Sequence, residues 1–189
     1  MKHLLVNFAA FQAGWFSCVL GAANGFPWIG PLAVLAAVGL HLSIARRPLA
    51  ELQLVLCAVA IGLVADSLLV FAGWVSYPNG IWAAGFAPYW ILAMWALFAT
   101  TLNVSMKWMR NRVLVAVLAG AAGGPLSYLA GERLGAMQFV EPVNALVALT
   151  VIWAVAMPAL VWLAIRLDGF SESRPSTQPR EECEASQHA

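Results

Sequence analysis

Asp66 is the residue of this 189-residue sequence best suited to chemistry, because it is isolated in a long apolar stretch. Residues 52–106 contain no other Lys, Arg, His, Asp or Glu. An ionisable side chain within a membrane-spanning segment is costly and commonly marks a functional site. Two interpretations stay open: Asp66 exchanges a proton with a ligand, or it fixes helix packing through hydrogen bonds to neighbouring helices.

Two polar residues are expected at the same depth as Asp66. Asp66 follows Glu51 by 15 residues, and Ser127 and Tyr128 follow Arg112 by 15 and 16 residues. At the rise of an α-helix these separations correspond to about 22–24 Å. The spacing therefore places Asp66, Ser127 and Tyr128 in one layer, and the three are the candidate catalytic residues.

Other polar side chains are expected in two further layers. Asn7, His41 and Asn103 lie close to helix ends, where they predict an interhelical hydrogen-bond cluster, and Gln12 is placed to connect the two layers. Glu132 and Arg133 are expected at the opposite face, as a surface charge pair or as the rim of an outward-opening cavity.

Neither a metal nor a cofactor is predicted. His41 has no second His, Cys or carboxylate at the spacing that a zinc site needs. The sequence also lacks the HExxH, GxSxG, GxxxxGK[ST], GxGxxG and CxxC motifs.

Composition determines the solvent in which these residues must work. Hydrophobic residues make up 62% of the chain and charged residues 10%, against about 45–50% and about 25% in soluble domains. A soluble domain of this size has too little interior for so much apolar surface. We therefore expect the lipid bilayer to surround the chain. The net charge of +1 argues against a nucleic-acid partner.

The apolar runs predict an all-α protein, a polytopic bundle of six transmembrane helices. Each run is continuous rather than alternating, and turn-forming residues divide the longer runs. The predicted helices cover residues 4–22, 28–45, 52–75, 87–106, 113–131 and 143–166. The expected domains are a transmembrane domain, 1–167, and a disordered cytoplasmic tail, 168–189.

The positive charges predict the orientation. Nine of the ten Lys and Arg residues fall at the N-terminus, in the second and fourth connections and at the C-terminal end, and only Arg133 falls elsewhere. By the positive-inside rule both termini are cytoplasmic. This orientation predicts a multi-pass protein of the bacterial inner membrane.

Small residues on the fifth helix predict a close packing face. Gly120 and Gly124 form a small-xxx-small pattern, and Gly123 and Pro125 lie beside them. Such patterns let helix backbones approach closely. The face is a candidate for pairing two copies of the chain, although broken glycine-rich helices also line transporter sites.

Several motifs together resemble a family of small proteobacterial inner-membrane proteins catalogued as a domain of unknown function. The matching blocks are Asn7-Phe8, Phe11-Gln12, Gly14-Trp15, Ala65–Leu69 with Gly73, Pro88 with Trp90, Trp95–Leu102 with Ser105 and Trp108, and Gly123–Tyr128 with Ala130-Gly131. Relatives are often encoded beside lipid-modifying genes, such as cyclopropane-synthase-like methyltransferases. The resemblance implies a role in membrane-lipid metabolism or envelope stress.

Three functions are consistent with the sequence. The first is an accessory membrane protein that acts with lipid-modifying partners and binds a lipid or a small molecule. The second is a small proton-coupled transporter or permease that uses Asp66. The third is an intramembrane lipid-modifying enzyme with Asp66 as acid or base, near Ser127, Tyr128 or His41.

Overall fold

The computed structural model describes residues 2–171 and contains six α-helices in that range. The α-helices are α1 (Lys2–Ala23), α2 (Ile29–Ile44), α3 (Pro48–Phe71), α4 (Tyr89–Leu102), α5 (Val113–Arg133) and α6 (Pro142–Arg166). A single 3-10 turn covers Lys107–Met109, and two short strands, β1 (Val75–Ser76) and β2 (Gln138–Phe139), pair antiparallel. The prediction of an all-α fold with six helices is confirmed.

Four of the helices are long and apolar enough to cross a membrane: α1, from His3, together with α3, α5 and α6. The other two are apolar but shorter, with 16 residues in α2 and 14 in α4. At 1.5 Å per residue α4 spans only about 21 Å, less than the roughly 30 Å of a hydrocarbon core. It lies at the centre of the bundle, in contact with α1, α2, α3 and α6.

The loop from residue 76 to 88 compensates for the short α4. Its backbone bonds to the protein: the Ala87 amide donates to Ser67 Oγ at 3.0 Å, and the Tyr89 amide donates to the Gly80 carbonyl at 3.1 Å. Irregular backbone at membrane depth is tolerated only where the protein itself satisfies its polar groups. The loop therefore covers the end of α4 without leaving those amides unpaired.

Local sequence explains where α3 begins and ends. Pro48 opens the helix, at a position where a missing N–H costs nothing. The helix ends at Phe71, because Gly73 adopts φ +72°, a non-helical conformation that is disfavoured for residues other than glycine. The helix therefore lies about four residues earlier than the predicted range 52–75.

Apolar side chains cover much of the outside of the bundle. Phe71 is 84% exposed, and Leu49 and Val143 are each 75% exposed. Apolar surface on this scale is typical of a protein whose surroundings are lipid rather than water.

The connections divide between two ends of the bundle. At one end, which we term the charged end, Arg47 and Arg110 both bond to Asp168. At the other end the strand pair joins the connection after α3 to the connection before α6. The connections after α2 and α4 and the segment after α6 therefore meet at the charged end. The connections after α3 and α5 meet at the opposite end.

Candidate functional site

Asp66 is the centre of a buried hydrogen-bond cluster formed by three other elements. Its carboxyl group is on α3, and the residue is 1% exposed. Oδ1 accepts from the Tyr128 hydroxyl at 2.6 Å and from the Tyr77 hydroxyl at 3.4 Å, while Oδ2 accepts from the Trp95 indole N–H at 2.7 Å. The carboxyl group therefore connects α3 to α4, to α5 and to the loop after β1.

A glycine one turn before Asp66 makes the Trp95 contact feasible. A Cβ at Gly62 would lie 2.2 Å from the Trp95 ring, so only glycine lets the indole pack directly on the α3 backbone. From that position its N–H reaches Oδ2 of Asp66. Gly62 and Asp66, spaced i and i+4 on one face of α3, together fix the Trp95 ring.

The cluster contains donors and no cation. Tyr128, Tyr77 and Trp95 each donate a hydrogen bond to Asp66, and none of the ion pairs among residues 2–171 includes it. A carboxyl surrounded by three donors is used as an acceptor. The arrangement can hold Tyr128 in one orientation, and it can pass a proton between Asp66 and the Tyr128 hydroxyl.

Ser127, the third predicted member of this layer, does not contact Asp66. Its Oγ accepts a hydrogen bond from the Trp15 indole N–H at 3.2 Å, which connects α5 to α1. Adjacent residues on a helix point about 100° apart, so Tyr128 faces α3 while Ser127 faces α1. Helical spacing predicts a similar depth for Ser127 and Tyr128, but it does not predict which of them contacts Asp66.

Trp153 of α6 completes the aromatic wall beside the cluster. Its ring stacks on Trp95 with centroids 4.7 Å apart and planes at 12°. It also fills the space above Gly120 and Gly124, where added Cβ atoms would lie 2.2 Å from the Trp153 carbonyl oxygen and ring respectively. Its indole N–H is buried beside the Tyr128 hydroxyl but makes no hydrogen bond of acceptable geometry.

The small-xxx-small face on α5 is therefore occupied within the chain. The close helix approach that Gly120 and Gly124 permit is made by α6, with Trp153 and Met157 against them. A second copy of the chain would have to displace α6 to reach these two glycines. The homodimer itself stays a prediction. The helix is continuous through Pro125.

An apolar groove with a volume of about 550 Å³ separates α1 from α5. We name it the α1/α5 groove; six of the residues that define it are Gln12, Trp15, Trp108, Gly123, Leu126 and Trp153. Gly123 and Leu126 are exposed along it, and a Cβ at Gly123 would meet no atom within 4 Å. The groove is therefore open to the surroundings of the bundle.

A smaller cavity of about 50 Å³ adjoins the groove and reaches the Asp66 cluster. Trp15, Ser127 and Trp153 line both spaces, whereas Trp95 and Tyr128 line only the smaller one. Trp95 and Tyr128, two of the three residues that donate to Asp66, therefore form part of the wall of the smaller cavity. Gln12 lines the groove, and its role in connecting the polar layers stays a prediction.

A second buried carboxyl, Glu51, forms a cluster at the charged end. Glu51 is 0% exposed. Oε2 lies 2.9 Å from His41 Nε2, and Oε1 accepts from Asn103 Nδ2 at 2.7 Å and from the Gly169 amide at 2.6 Å. His41 and Asn103 are predicted from the sequence, whereas Glu51 lies just before the predicted helix 52–75. Its position in the first turn of α3, beside Pro48, was the available signal.

Asn7 lies apart from the Glu51 cluster, although it belongs to the same predicted layer. Its Nδ2 donates to the Thr100 carbonyl at 3.0 Å, and its Oδ1 accepts from Ser105 Oγ at 2.8 Å. It therefore ties the beginning of α1 to the end of α4. Helical rise gives the depth of a residue but not the direction of its side chain, which is why one predicted layer divides into two sets of contacts.

The segment after α6 belongs to the packed structure rather than to a disordered tail. Asp168 is 4% exposed; its Oδ2 accepts from Arg110 at 2.7 Å, and its Oδ1 accepts from the Phe170 and Ser171 amides at 2.8 and 3.0 Å. Residues 168–171 therefore pack against the bundle, and the domain boundary at residue 167 stays a prediction. The rest of the predicted tail, 172–189, lies outside the described residues.

Opposing effects act on the pKa of Asp168. Burial raises this pKa, but the hydrogen bond from Arg110, the Phe170 amide, the charge of Arg110 and the Ser171 amide together hold it below its ordinary value. The carboxylate is therefore ionised at neutral pH. Arg110 also donates to Asn103 Oδ1 at 2.5 Å, which connects Asp168 to the Glu51 cluster.

At the opposite end, the two outer charged residues differ in their surroundings. Glu132 Oε1 accepts a hydrogen bond from the Phe139 amide at 3.0 Å and so closes the connection to β2. Arg133 is the last residue of α5 and is exposed. Glu132 thus has a structural partner in the backbone, whereas Arg133 is presented to the surroundings.

The described residues contain no group of three or more His, Cys, Asp or Glu side chains that could hold a metal ion. The Glu51 cluster includes one His and one carboxylate, and Asn103 and a backbone amide both donate to Oε1 of that carboxylate. The Asp66 cluster supplies donors rather than ligands. Neither arrangement fits a metal centre.

Comparison with known proteins shows the family. The model of the family described as "Protein of unknown function (DUF2878)" matches residues 4–159. No curated protein and no solved structure matches the chain. The chain belongs to this family, which the sequence resemblance indicated.

Proposed function

We propose that this member of the family is a multi-pass protein of the bacterial inner membrane that binds one acyl chain of a cytoplasmic-leaflet phospholipid in the α1/α5 groove. In this role it is an accessory protein of membrane-lipid metabolism, presenting or retaining a lipid for a modifying partner. The observation that carries the proposal is the groove itself: about 550 Å³, apolar, and open between two helices.

The depth of the groove supports a single acyl chain. It begins beside Trp108 and Met109, in the connection that precedes α5, and extends past Gly124. Gly124 follows Val113 by 11 residues, about 16 Å along the helix axis. One leaflet contributes about half of a hydrocarbon core roughly 30 Å thick. The groove therefore spans about one leaflet.

The charges beside the groove support an entry from the cytoplasmic leaflet. Lys107 and Arg112 are exposed and flank the residues at which the groove begins. Cationic side chains at the membrane surface attract the anionic headgroups of phospholipids. A headgroup at this position would leave its acyl chain free to enter the groove.

The orientation can be tested with reporter fusions. We expect an enzyme that is active only outside the cytoplasm to be active when it is fused after Pro78, and inactive when it is fused after Arg110. The reason is the positive-inside rule, since Arg110 lies at the charged end and Pro78 at the other. A reporter active only in the cytoplasm should give the opposite pattern. Equal activity of one reporter at both positions would contradict the six-span arrangement.

Filling the groove should remove the bound lipid. Gly123→Trp places an indole in open space within the groove, because a Cβ there meets no atom within 4 Å. We expect phospholipid retained after purification in mild detergent, counted by native mass spectrometry, to fall at least about fivefold relative to the unsubstituted protein, about 1 kcal/mol of binding free energy.

Ala122→Trp provides the matched control for this experiment. Ala122 is the adjacent residue of α5, is also exposed, and does not line the groove. It introduces the same indole at nearly the same depth, so it should leave lipid retention unchanged. Equal retention by both variants would exclude the α1/α5 groove as the lipid site.

An intramembrane enzyme is the second candidate function, and the Asp66 cluster favours it. The Tyr128 ring lines the cavity that adjoins the groove, and its hydroxyl lies 2.6 Å from Asp66 Oδ1. A tyrosine paired with a carboxyl can act as a general acid or base toward a bound chain. In this function the groove holds the substrate, and the part of the substrate that enters the adjoining cavity contacts Tyr128.

A further inference from the structure

The small cavity beside the α1/α5 groove reaches as deep into the bundle as the Asp66 cluster. Both spaces are lined by Phe11, Trp15, Phe98, Ser127 and Trp153, so they meet at these side chains. Ile91, Met94 and Tyr128 line the cavity but not the groove. Tyr128 follows Val113 by 15 residues, about 22 Å along the helix axis. A chain that runs the length of the groove can therefore end in the cavity.

Several polar groups around the cavity are already bonded within the protein. The Trp15 indole N–H donates to Ser127 Oγ at 3.2 Å. The Tyr128 hydroxyl and the Trp95 indole N–H both donate to Asp66, at 2.6 and 2.7 Å. None of these groups needs a ligand to supply the partner that it already has.

The remaining polar side chains do not direct a polar ligand into the cavity either. The Trp153 indole N–H is buried beside the Tyr128 hydroxyl. Gln12 carries the amide of the lining, but it lines the groove and not the cavity. The rest of the cavity wall is aliphatic or aromatic carbon. The cavity therefore suits the hydrocarbon end of a chain.

Beyond the cavity the space between the helices closes. The next space along α5 is lined by Gly131 and Met137 and has a volume of only about 10 Å³. A single water molecule needs roughly 10–15 Å³. A chain that reaches the cavity therefore has no room to continue past it, which sets an upper limit to the length that the site accommodates.

The dimensions of the path can be compared with acyl chains. An extended chain advances about 1.25 Å per carbon, because C–C bonds of about 1.5 Å meet at nearly tetrahedral angles. An extended stearoyl chain is thus about 21 Å long and reaches from the level of Val113 to that of Ser127 and Tyr128. An extended myristoyl chain, about 16 Å long, ends near Gly124 and leaves the cavity empty.

Packing in the cavity is the effect that distinguishes these chains. Burial alone distinguishes them little, because the lipid around the protein is as apolar as the groove. An unfilled cavity costs about 24 cal/mol per Å³ in a packed protein, and this cavity has a volume of about 50 Å³. A chain end that fills it should therefore bind about sevenfold more tightly than a chain that stops short.

We infer that the α1/α5 groove selects its acyl chain by length, and that the cavity beside Tyr128 receives the end of a chain as long as stearoyl. This inference rests on the proposed function, because it requires a phospholipid chain in the groove. Met94 is then a specificity-determining residue, since it lines the cavity on the side of α4 and does not line the groove.

The first test compares phospholipids that share a headgroup and differ in chain length. Purified protein in nanodiscs is offered dimyristoyl, distearoyl and diarachidoyl phosphatidylglycerol in equal amounts, and the lipid retained in mild detergent is counted by native mass spectrometry. We expect about a sevenfold preference for stearoyl over myristoyl chains. The longer arachidoyl chain should gain nothing further, because the cavity is already filled. This measurement uses the unsubstituted protein and does not depend on how any variant folds.

The cavity can then be filled without altering the groove. Met94→Trp places a larger side chain in the cavity, so the preference for stearoyl over myristoyl chains should fall to nearly one. Leu92→Trp is the matched control, because Leu92 also lies on α4, is half-buried like Met94 and lines neither space. It should keep the full preference.

The outcomes separate the inference from the function on which it rests. Equal retention of stearoyl and myristoyl lipids by the unsubstituted protein would overturn length selection while leaving the lipid groove in place. Retention that keeps rising from stearoyl to arachidoyl chains would also overturn it, because nonspecific adsorption increases with chain length. Retention of no phospholipid at all would overturn both proposals. A stearoyl preference that Met94→Trp abolishes and Leu92→Trp preserves would support the inference.

Discussion

Asp66→Leu should lower the free energy of unfolding by about 3–5 kcal/mol. Leucine has the same branched shape as aspartate, but its side chain accepts no hydrogen bond. The substitution leaves the Tyr128 hydroxyl, the Tyr77 hydroxyl and the Trp95 indole N–H without their acceptor in a fully buried site. Thermal unfolding in detergent, at fixed detergent concentration, measures the loss.

Two milder variants test whether hydrogen bonding is the cause. Asp66→Asn keeps one oxygen acceptor and should cost about 1–2 kcal/mol, because its amide group faces a donor on one side. Tyr77→Phe removes the 3.4 Å contact, the longest of the three, and should cost least. If Asp66→Leu proved as stable as the unsubstituted protein, the three donors would not depend on the carboxyl group.

Asp66→Asn also separates the chemical functions from the accessory one. Asparagine does not take up or release a proton, so an enzyme or a proton-coupled transporter that uses Asp66 would lose its activity. The lipid composition of cells lacking the gene gives the readout. Full restoration by the Asn variant would exclude both chemical functions and leave Asp66 a packing role. Loss of restoration by a variant that still folds and inserts would favour them.

Glu51→Leu is the second substitution with a large expected effect, also about 3–5 kcal/mol, because it removes one partner from a buried polar cluster. His41, Asn103 and the Gly169 amide all lose a contact of 2.6–2.9 Å. The Gly169 amide anchors the segment after α6, so this segment should detach. Limited proteolysis on the carboxyl side of Arg166 should then become faster, together with a lower unfolding temperature.

Glu141→Leu is the control for the Glu51 variant. Glu141 immediately precedes α6, is exposed and makes no side-chain hydrogen bond or ion pair within residues 2–171. Its replacement should change the free energy of unfolding by less than about 0.5 kcal/mol. Slow proteolysis of Glu51→Leu, equal to that of the control, would show that other contacts hold the segment after α6.

The importance of Asp66 could be predicted from the sequence, because a single charged residue within a long apolar run is visible in the order of the residues alone. Glu51 has the same burial and a comparable set of partners, yet it stands three residues after Pro48, at the edge of a run. A carboxyl at that position is equally consistent with a solvated helix end. Only the contacts of α3 with α2 and α4, and with the segment after α6, place it inside.

The sequence carried only an ambiguous signal for the α1/α5 groove, because the glycine-rich stretch of α5 is equally consistent with a packing face and with the lining of a site. Gly120, Gly123 and Gly124 look alike in the sequence, but a Cβ at Gly120 or Gly124 would collide with Trp153, whereas a Cβ at Gly123 would meet no atom within 4 Å. The difference depends on the angle at which α6 crosses α5, which the pattern of small residues does not specify. Tyr128 and Ser127 likewise share a depth and face different helices.

The sequence by itself determined that the chain forms six apolar helices, which end of each helix carries the positive charge, and how deep each polar residue lies. These properties follow from composition and from a constant helical rise, both of which are local. Tertiary structure decided which polar groups meet, where the groove opens and where the packed chain ends. Those properties depend on the rotation and crossing of helices, which are set by side chains far apart in the sequence.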